Sequence, residues 1–130
     1  MHVNYLAVLV AAVSSFLLGG LWYSPKLFGP TWQHAAGDTR KKEDGHPAKV
    51  FGISLLFALV AAYAYAVLIP LQANVVAAGV QGLLVGAGLV ATSFGINYQF
   101  ANRNSALWLI DGGYHTLQFG VYGVILGAWR

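Results

Sequence analysis

The chain has 130 residues, of which 58% are apolar or aromatic and only 8% are charged, with a net charge of +3 and a mean hydropathy of +0.63. Soluble domains carry about 25% charged residues, and seven basic and four acidic side chains cannot wet the surface of a water-soluble domain of this size. Composition therefore excludes water as the main solvent and points to lipid. The absence of cysteine excludes a disulfide framework, thiolate catalysis, iron–sulfur clusters and cysteine-ligated zinc.

Four apolar stretches follow one another, over residues 3–23, 50–69, 76–100 and 106–129. Each matches the roughly 20 residues a helix needs to cross a hydrocarbon core of about 30 Å. Helices also pair their own backbone groups, as lipid requires. The expected fold is an all-α integral membrane protein, a single domain over residues 1–130 built as a self-associating four-transmembrane-helix bundle. The first stretch has no basic segment ahead of it and is longer than a signal-peptide core, so it is expected to stay as a span.

Punctuation marks the boundaries. Ser24 and Pro25 close the first stretch, Gly45-His46-Pro47 precedes the second, Pro70 ends it, and Ala101–Ser105 separates the third from the fourth. Trp22, Tyr23, Tyr98, Trp108 and Trp129 fall near stretch ends, where amphipathic rings favour the headgroup layer. The connection over residues 24–49 divides in two: Leu27, Phe28, Trp32, Ala35 and Ala36 suit a short interfacial helix begun by Pro30 and Thr31, and GDTRKKEDG reads as a solvated loop.

Basic residues set the expected orientation. Lys26, Arg40, Lys41, Lys42 and Lys49 lie in the first connection and Arg103 in the third, against Arg130 alone on the other side. The positive-inside rule places residues 24–49 in the cytoplasm and both termini outside it. Because these residues flank apolar stretches with no RNA-binding or helix-turn-helix pattern, nucleic acid is not an expected partner.

Small residues recur at helical spacing, which lets helices approach closely where lipid offers no hydrophobic drive. Ala7, Ala11, Ser15 and Gly19 form one stripe, Gly82 and Gly86 a second, and Gly113, Thr116, Gly120, Gly123 and Gly127 a third. Three such stripes suggest that one mediates contact between chains in a homo-oligomer. The second stretch offers only Ser54, Ala58 and Ala62 and is expected at the periphery.

The fourth stretch carries the chemistry. Trp108, Asp111, His115, Gln118 and Tyr122 share one face, and Asp111 and His115 are spaced for a direct hydrogen bond. Embedded ionisable residues are costly and default to a functional hypothesis. Histidine titrates near neutrality, and a carboxylate neighbour would make it a switch. Asn97 and Tyr23 are expected at the same depth, giving a candidate site of Asp111, His115, Asn97, Gln118, Tyr122 and Tyr23, with Thr92, Ser93 and Ser54 nearby.

No haem, metal or other cofactor is expected, since His2, His34 and His46 fall at or beyond the surface and Asp111 with His115 supply too few ligands. No catalytic triad or phosphate-binding loop is legible. The sequence points to binding or transport of a small solute, ion or proton through the polar face of the fourth helix. A structural or assembly role, exerted through helix association, competes with it.

Several motifs resemble a family of small bacterial membrane proteins known as a domain of unknown function, number seventeen-sixty-one. They are Asn4-Tyr5-Leu6-Ala7-Val8-Leu9-Val10, Gly20-Leu21-Trp22-Tyr23-Ser24-Pro25 with Phe28-Gly29 and Trp32, Gly45-His46-Pro47, Ala91-Thr92-Ser93-Phe94-Gly95-Ile96-Asn97-Tyr98, Leu109-Ile110-Asp111-Gly112-Gly113-Tyr114-His115, and Gly127-Ala128-Trp129-Arg130. The resemblance spans nearly the whole chain and implies four membrane helices in a bacterial inner membrane. It implies no activity.

Overall fold

A computed structural model describes residues 3–37, 47–70 and 74–129. Among these residues the chain is helical and contains no strand. Helix α1 (Tyr5–Trp22) opens at Asn4, whose side chain accepts the Ala7 N–H at 3.1 Å and so caps the first turn. At its end the chain reverses sharply: the Phe28 N–H donates to the Trp22 carbonyl and the Gly29 N–H to that of Ser24, both at 3.0 Å. Gly29 is required there, because a Cβ would lie 2.5 Å from the Tyr23 carbonyl oxygen. The reversal launches α2 (Gly29–Ala36), with Pro30 in its first turn and Gly37 closing it at a φ of 76°.

Helix α3 (Pro47–Leu68) follows. Next comes a continuous rod made of α4 (Val75–Val85), a π-helical segment (Gly86–Ala91) and α5 (Thr92–Phe100). Asn102, at a φ of 55°, turns the chain, and the Arg103 N–H donates to the Tyr98 carbonyl at 2.8 Å. Asn104 then caps α6 (Ser105–Ala128) by accepting the Ala106 N–H at 2.8 Å.

Helix α6 is the hub. It packs along α4 and the π segment on one side and along α1 on another, with α2 over its beginning, whereas α3 leans mainly on α1. The closest approach is made by glycine. A Cβ on Gly82 would overlap the Phe119 carbonyl, one on Gly86 would lie 2.6 Å from the Thr116 Cα, and one on Gly123 would overlap the Ala78 carbonyl. On α1, Ala7, Ala11 and Ser15 are buried, and Gly19 faces the Tyr114 ring.

Residues of all three small-residue stripes pack inside the chain, the second against the third at Gly82, Gly86, Gly120 and Gly123. One expectation needs correction. The third stretch is not one regular helix but carries six residues of π-helix. Among the described residues three helices are long and apolar enough to cross a membrane by length and composition: Tyr5–Trp22, Ala48–Leu68 and Val75–Phe100. Helix α6 has the length, 24 residues, but Asp111, His115 and Gln118 lower its hydropathy. The loop GDTRKKEDG lies outside the described residues from Asp38 onward.

Replacing Gly82 with leucine should therefore destabilise the fold by about 2–3 kcal/mol, because the added side chain has only backbone to displace. Gly52→Ala, where a Cβ meets nothing within 4 Å, should be neutral or stabilise by up to about 1 kcal/mol. Reversible unfolding in detergent mixtures reads both.

Candidate functional site

Two polar clusters lie one turn apart on α6. In the first, the buried Asp111 carboxylate gathers three donors from three other elements. Its Oδ1 accepts the Tyr23 hydroxyl at 2.5 Å and the Trp32 indole N–H at 3.0 Å, and its Oδ2 accepts the Tyr98 hydroxyl at 2.6 Å. A carboxylate accepts on both oxygens, and an indole can only donate. Hydrogen bonds to charged acceptors are about twice as strong as neutral ones, so Asp111 is satisfied by neutral donors alone.

Local structure delivers each donor. The tight reversal after α1 swings Trp32 on α2 back over α6, and Tyr23 caps α1 immediately beside it. The Trp22 indole donates to the Ile110 carbonyl at 2.9 Å, stitching the end of α1 to the same turn of α6. Its ring also packs on Phe28, with centroids 4.6 Å apart. Asp111 thus ties α1, α2, α5 and α6 together at one end of the bundle.

The second cluster starts at His115, whose ring stacks on Phe94 at 4.8 Å and meets the edge of Tyr114 at the same distance. His115 Nδ1 pairs with the Gln118 side-chain oxygen at 2.5 Å, and Gln118 Nε2 donates to the Tyr122 hydroxyl at 2.7 Å. Tyr122, fully buried, reaches Ser15 Oγ at 3.4 Å and the Ala58 carbonyl at 3.3 Å. Tyr114 donates to the Ser15 carbonyl at 2.9 Å. This relay joins α6 to α1 and α3 across the middle of the molecule.

Beside the second cluster lies a cavity of about 750 Å³, walled by α1, α3, the π segment and α6. Tyr23, Ser15, Ser54, Tyr114, His115 and Gln118 supply its polar wall, and Phe16, Phe51, Phe57 and Phe119 much of the rest. Among the described residues no charged side chain lines it. The size falls within the roughly 300–1,000 Å³ of small-molecule sites, which are likewise mostly apolar with a few placed polar groups.

The π segment shapes this region. Gly86 seats against the His115–Thr116 backbone of α6, and the Trp108 indole donates to the Ala91 carbonyl at 2.7 Å, where π-helix returns to α-helix. The Thr92 hydroxyl donates to the Gly88 carbonyl at 2.9 Å and that of Ser93 to Leu89 at 2.7 Å. Such side-chain bonds satisfy backbone groups that a change of helical pitch disturbs, and π turns are frequent at functional sites.

A family model described as a protein of unknown function (DUF1761) matches residues 6–127. The chain belongs to DUF1761. No curated protein and no solved structure matches it.

Of the expected site, this DUF1761 chain brings Tyr23 to Asp111, and Gln118 and Tyr122 to His115, but as two clusters rather than one. The hydrogen bond that spacing permits between Asp111 and His115 is replaced by bonds to other partners. Asn97 is exposed on α5 and joins neither cluster. Thr92 and Ser93 turn to their own backbone. Sequence reasoning missed Trp32, Tyr98, Tyr114 and Phe94 as site residues; Tyr98 and Trp32 had been assigned to the interface. The amphipathic rings of Trp32 and Tyr98 are the usable signal, since a buried carboxylate needs donors; the apolar ring of Phe94 carries none. No group of three or more potential metal ligands occurs among the described residues.

Asp111→Asn should cost about 1–3 kcal/mol, because its amide nitrogen would face a donor on one side. It should also loosen α2, seen as faster amide hydrogen exchange over residues 29–36, whereas Asn97→Ala should leave that exchange unchanged.

Proposed function

We propose that this protein is a multi-pass protein of the bacterial inner membrane that binds a small solute in the cavity beside α6 and carries it through the bilayer. Its four spans are α1, α3, the α4–α5 rod and α6. Three of these are apolar enough by themselves, and α6, about 36 Å long at 1.5 Å per residue, has Asp111, Gln118 and Tyr122 buried against the others. Large side chains cover the outside instead: Leu17, Leu68, Val76, Leu84 and Leu109 are each more than 60% exposed, a surface suited to acyl chains and not to water.

Topology supports the orientation expected from charge. Lys26 and Arg103 sit in the connections at the Asp111 end, with Lys49 in the first turn of α3. The Asn4 side chain donates to the Trp129 carbonyl at 3.1 Å, so both ends of the described chain meet at the opposite end of the bundle. The positive-inside rule puts the Asp111 end in the cytoplasm.

The observation that carries the function is the cavity, with His115 and Gln118 in its wall. Asp111, held by three donors, acts as a structural clamp, and His115 is the ionisable group that meets the solute. A structural or assembly role draws support from that clamp and from the glycine packing, but it gives no reason for a cavity of this size beside an embedded imidazole.

Protein in lipid nanodiscs should bind a polarity-sensitive naphthalene dye saturably. Ser54→Trp, which fills the cavity from the edge of α3, should weaken binding at least tenfold. In liposomes, His115→Ala should lower protein-dependent proton or solute flux by a similar factor; equal binding and equal flux in the variants would reject the proposal.

A further inference from the structure

The hydrogen-bond relay behind His115 has a direction, and the direction specifies what the cavity accepts. Ser15 Oγ donates its proton to the Ala12 carbonyl at 2.7 Å, so toward Tyr122 it can only accept. The other neighbour of the Tyr122 hydroxyl outside its own helix is the Ala58 carbonyl, which has no proton to give. The single proton of Tyr122 is therefore spent on Ser15 or Ala58, and its oxygen must accept from Gln118. That fixes the Gln118 amide with Nε2 toward Tyr122 and its oxygen toward His115. Facing an acceptor, His115 Nδ1 carries a proton, and in the neutral imidazole Nε2 is left as a bare lone pair.

Nε2 has no hydrogen-bond partner among the described residues, and His115 lines the cavity. Among the described residues the lining thus offers an acceptor from a neutral imidazole, with no cation to hold an anion and no carboxylate to hold a cation. Its lining includes apolar residues of α3 and the π segment, among them Val50, Phe51, Phe57 and Val90. Resting on the reading of this cavity as a binding site, we infer that its ligand is an uncharged, lipid-soluble molecule that donates a hydroxyl hydrogen bond to Nε2 of His115. Gln118, Tyr122 and Ser15 are positioning residues: they hold the tautomer that makes the site an acceptor.

The test pairs 4-octylphenol with its methyl ether, which keeps the shape and loses the donor, against the full chain in nanodiscs. The phenol should bind at least tenfold more tightly than the ether, a gap of about 1.4 kcal/mol. In nitrogen-15 spectra of histidine-labelled protein, the unprotonated His115 nitrogen should be Nε2, and its resonance should move on adding phenol and not on adding ether. His115→Phe should keep binding both compounds but equalise them. Tyr122→Phe should give a mixture of His115 tautomers and reduce the discrimination.

Equal binding of phenol and ether to the unmodified protein, or a proton found on Nε2, would overturn the ligand class while leaving the cavity a binding site. Binding of neither compound would overturn both this inference and the proposed function. Octanoate binding as tightly as the phenol would overturn the assignment of an uncharged ligand.

Discussion

The structure depends on one constraint: the polar side chains of α6 need hydrogen-bond partners, and apolar surroundings supply none. An unsatisfied buried donor or acceptor costs about 1–3 kcal/mol, and more when charged. Asp111, Gln118 and Tyr122 meet the requirement by drawing α1, α2, α3 and α5 around α6. This inverts the arrangement of a water-soluble bundle, in which apolar stripes turn inward. Here the most polar long helix takes the centre, and the most apolar helix, α3, lies at the edge with little of its surface buried.

Glycine and the π segment serve the same arrangement at the level of backbone. Gly82, Gly86 and Gly123 let α4 and α6 approach until main-chain atoms touch, which anchors one flank of α6 without needing its polar face. The π turn then re-aims the rest of the rod, so that α5 brings Phe94 to His115 and Tyr98 to Asp111. The flank toward α3 is left more open, and there the cavity forms. Clamp, relay and cavity are three consequences of placing one polar helix among apolar ones.

Much of this was legible in residue order. Apolar stretch lengths, with Pro25, Pro47 and Pro70 and the Asn-rich turn at residues 101–105, located the long helices closely. Spacing alone placed Asp111, His115, Gln118 and Tyr122 on one face. What stayed hidden were the partners across space. An i, i+4 pair predicts neighbours within α6, yet Asp111 finds stronger donors in Tyr23 and Tyr98, which arrive from elements 88 and 13 residues away. Aromatic residues near span ends obey two rules at once: Trp22, Tyr98 and Trp108 satisfy the interfacial pattern while pointing their polar tips inward. The π turn was invisible because an added residue per turn leaves hydropathy unchanged, and GAGLVA reads as ordinary span.

Solid-state magnetic resonance on carbon-labelled protein in lipid bilayers addresses the central claim most directly, by asking what surrounds the Asp111 carboxyl carbon. The account predicts short-range contacts to the ring carbons bearing the Tyr23 and Tyr98 hydroxyls and to the Trp32 indole, with little transfer from bulk water. A carboxyl carbon that exchanges magnetisation freely with water and shows no contact to those three rings would contradict it.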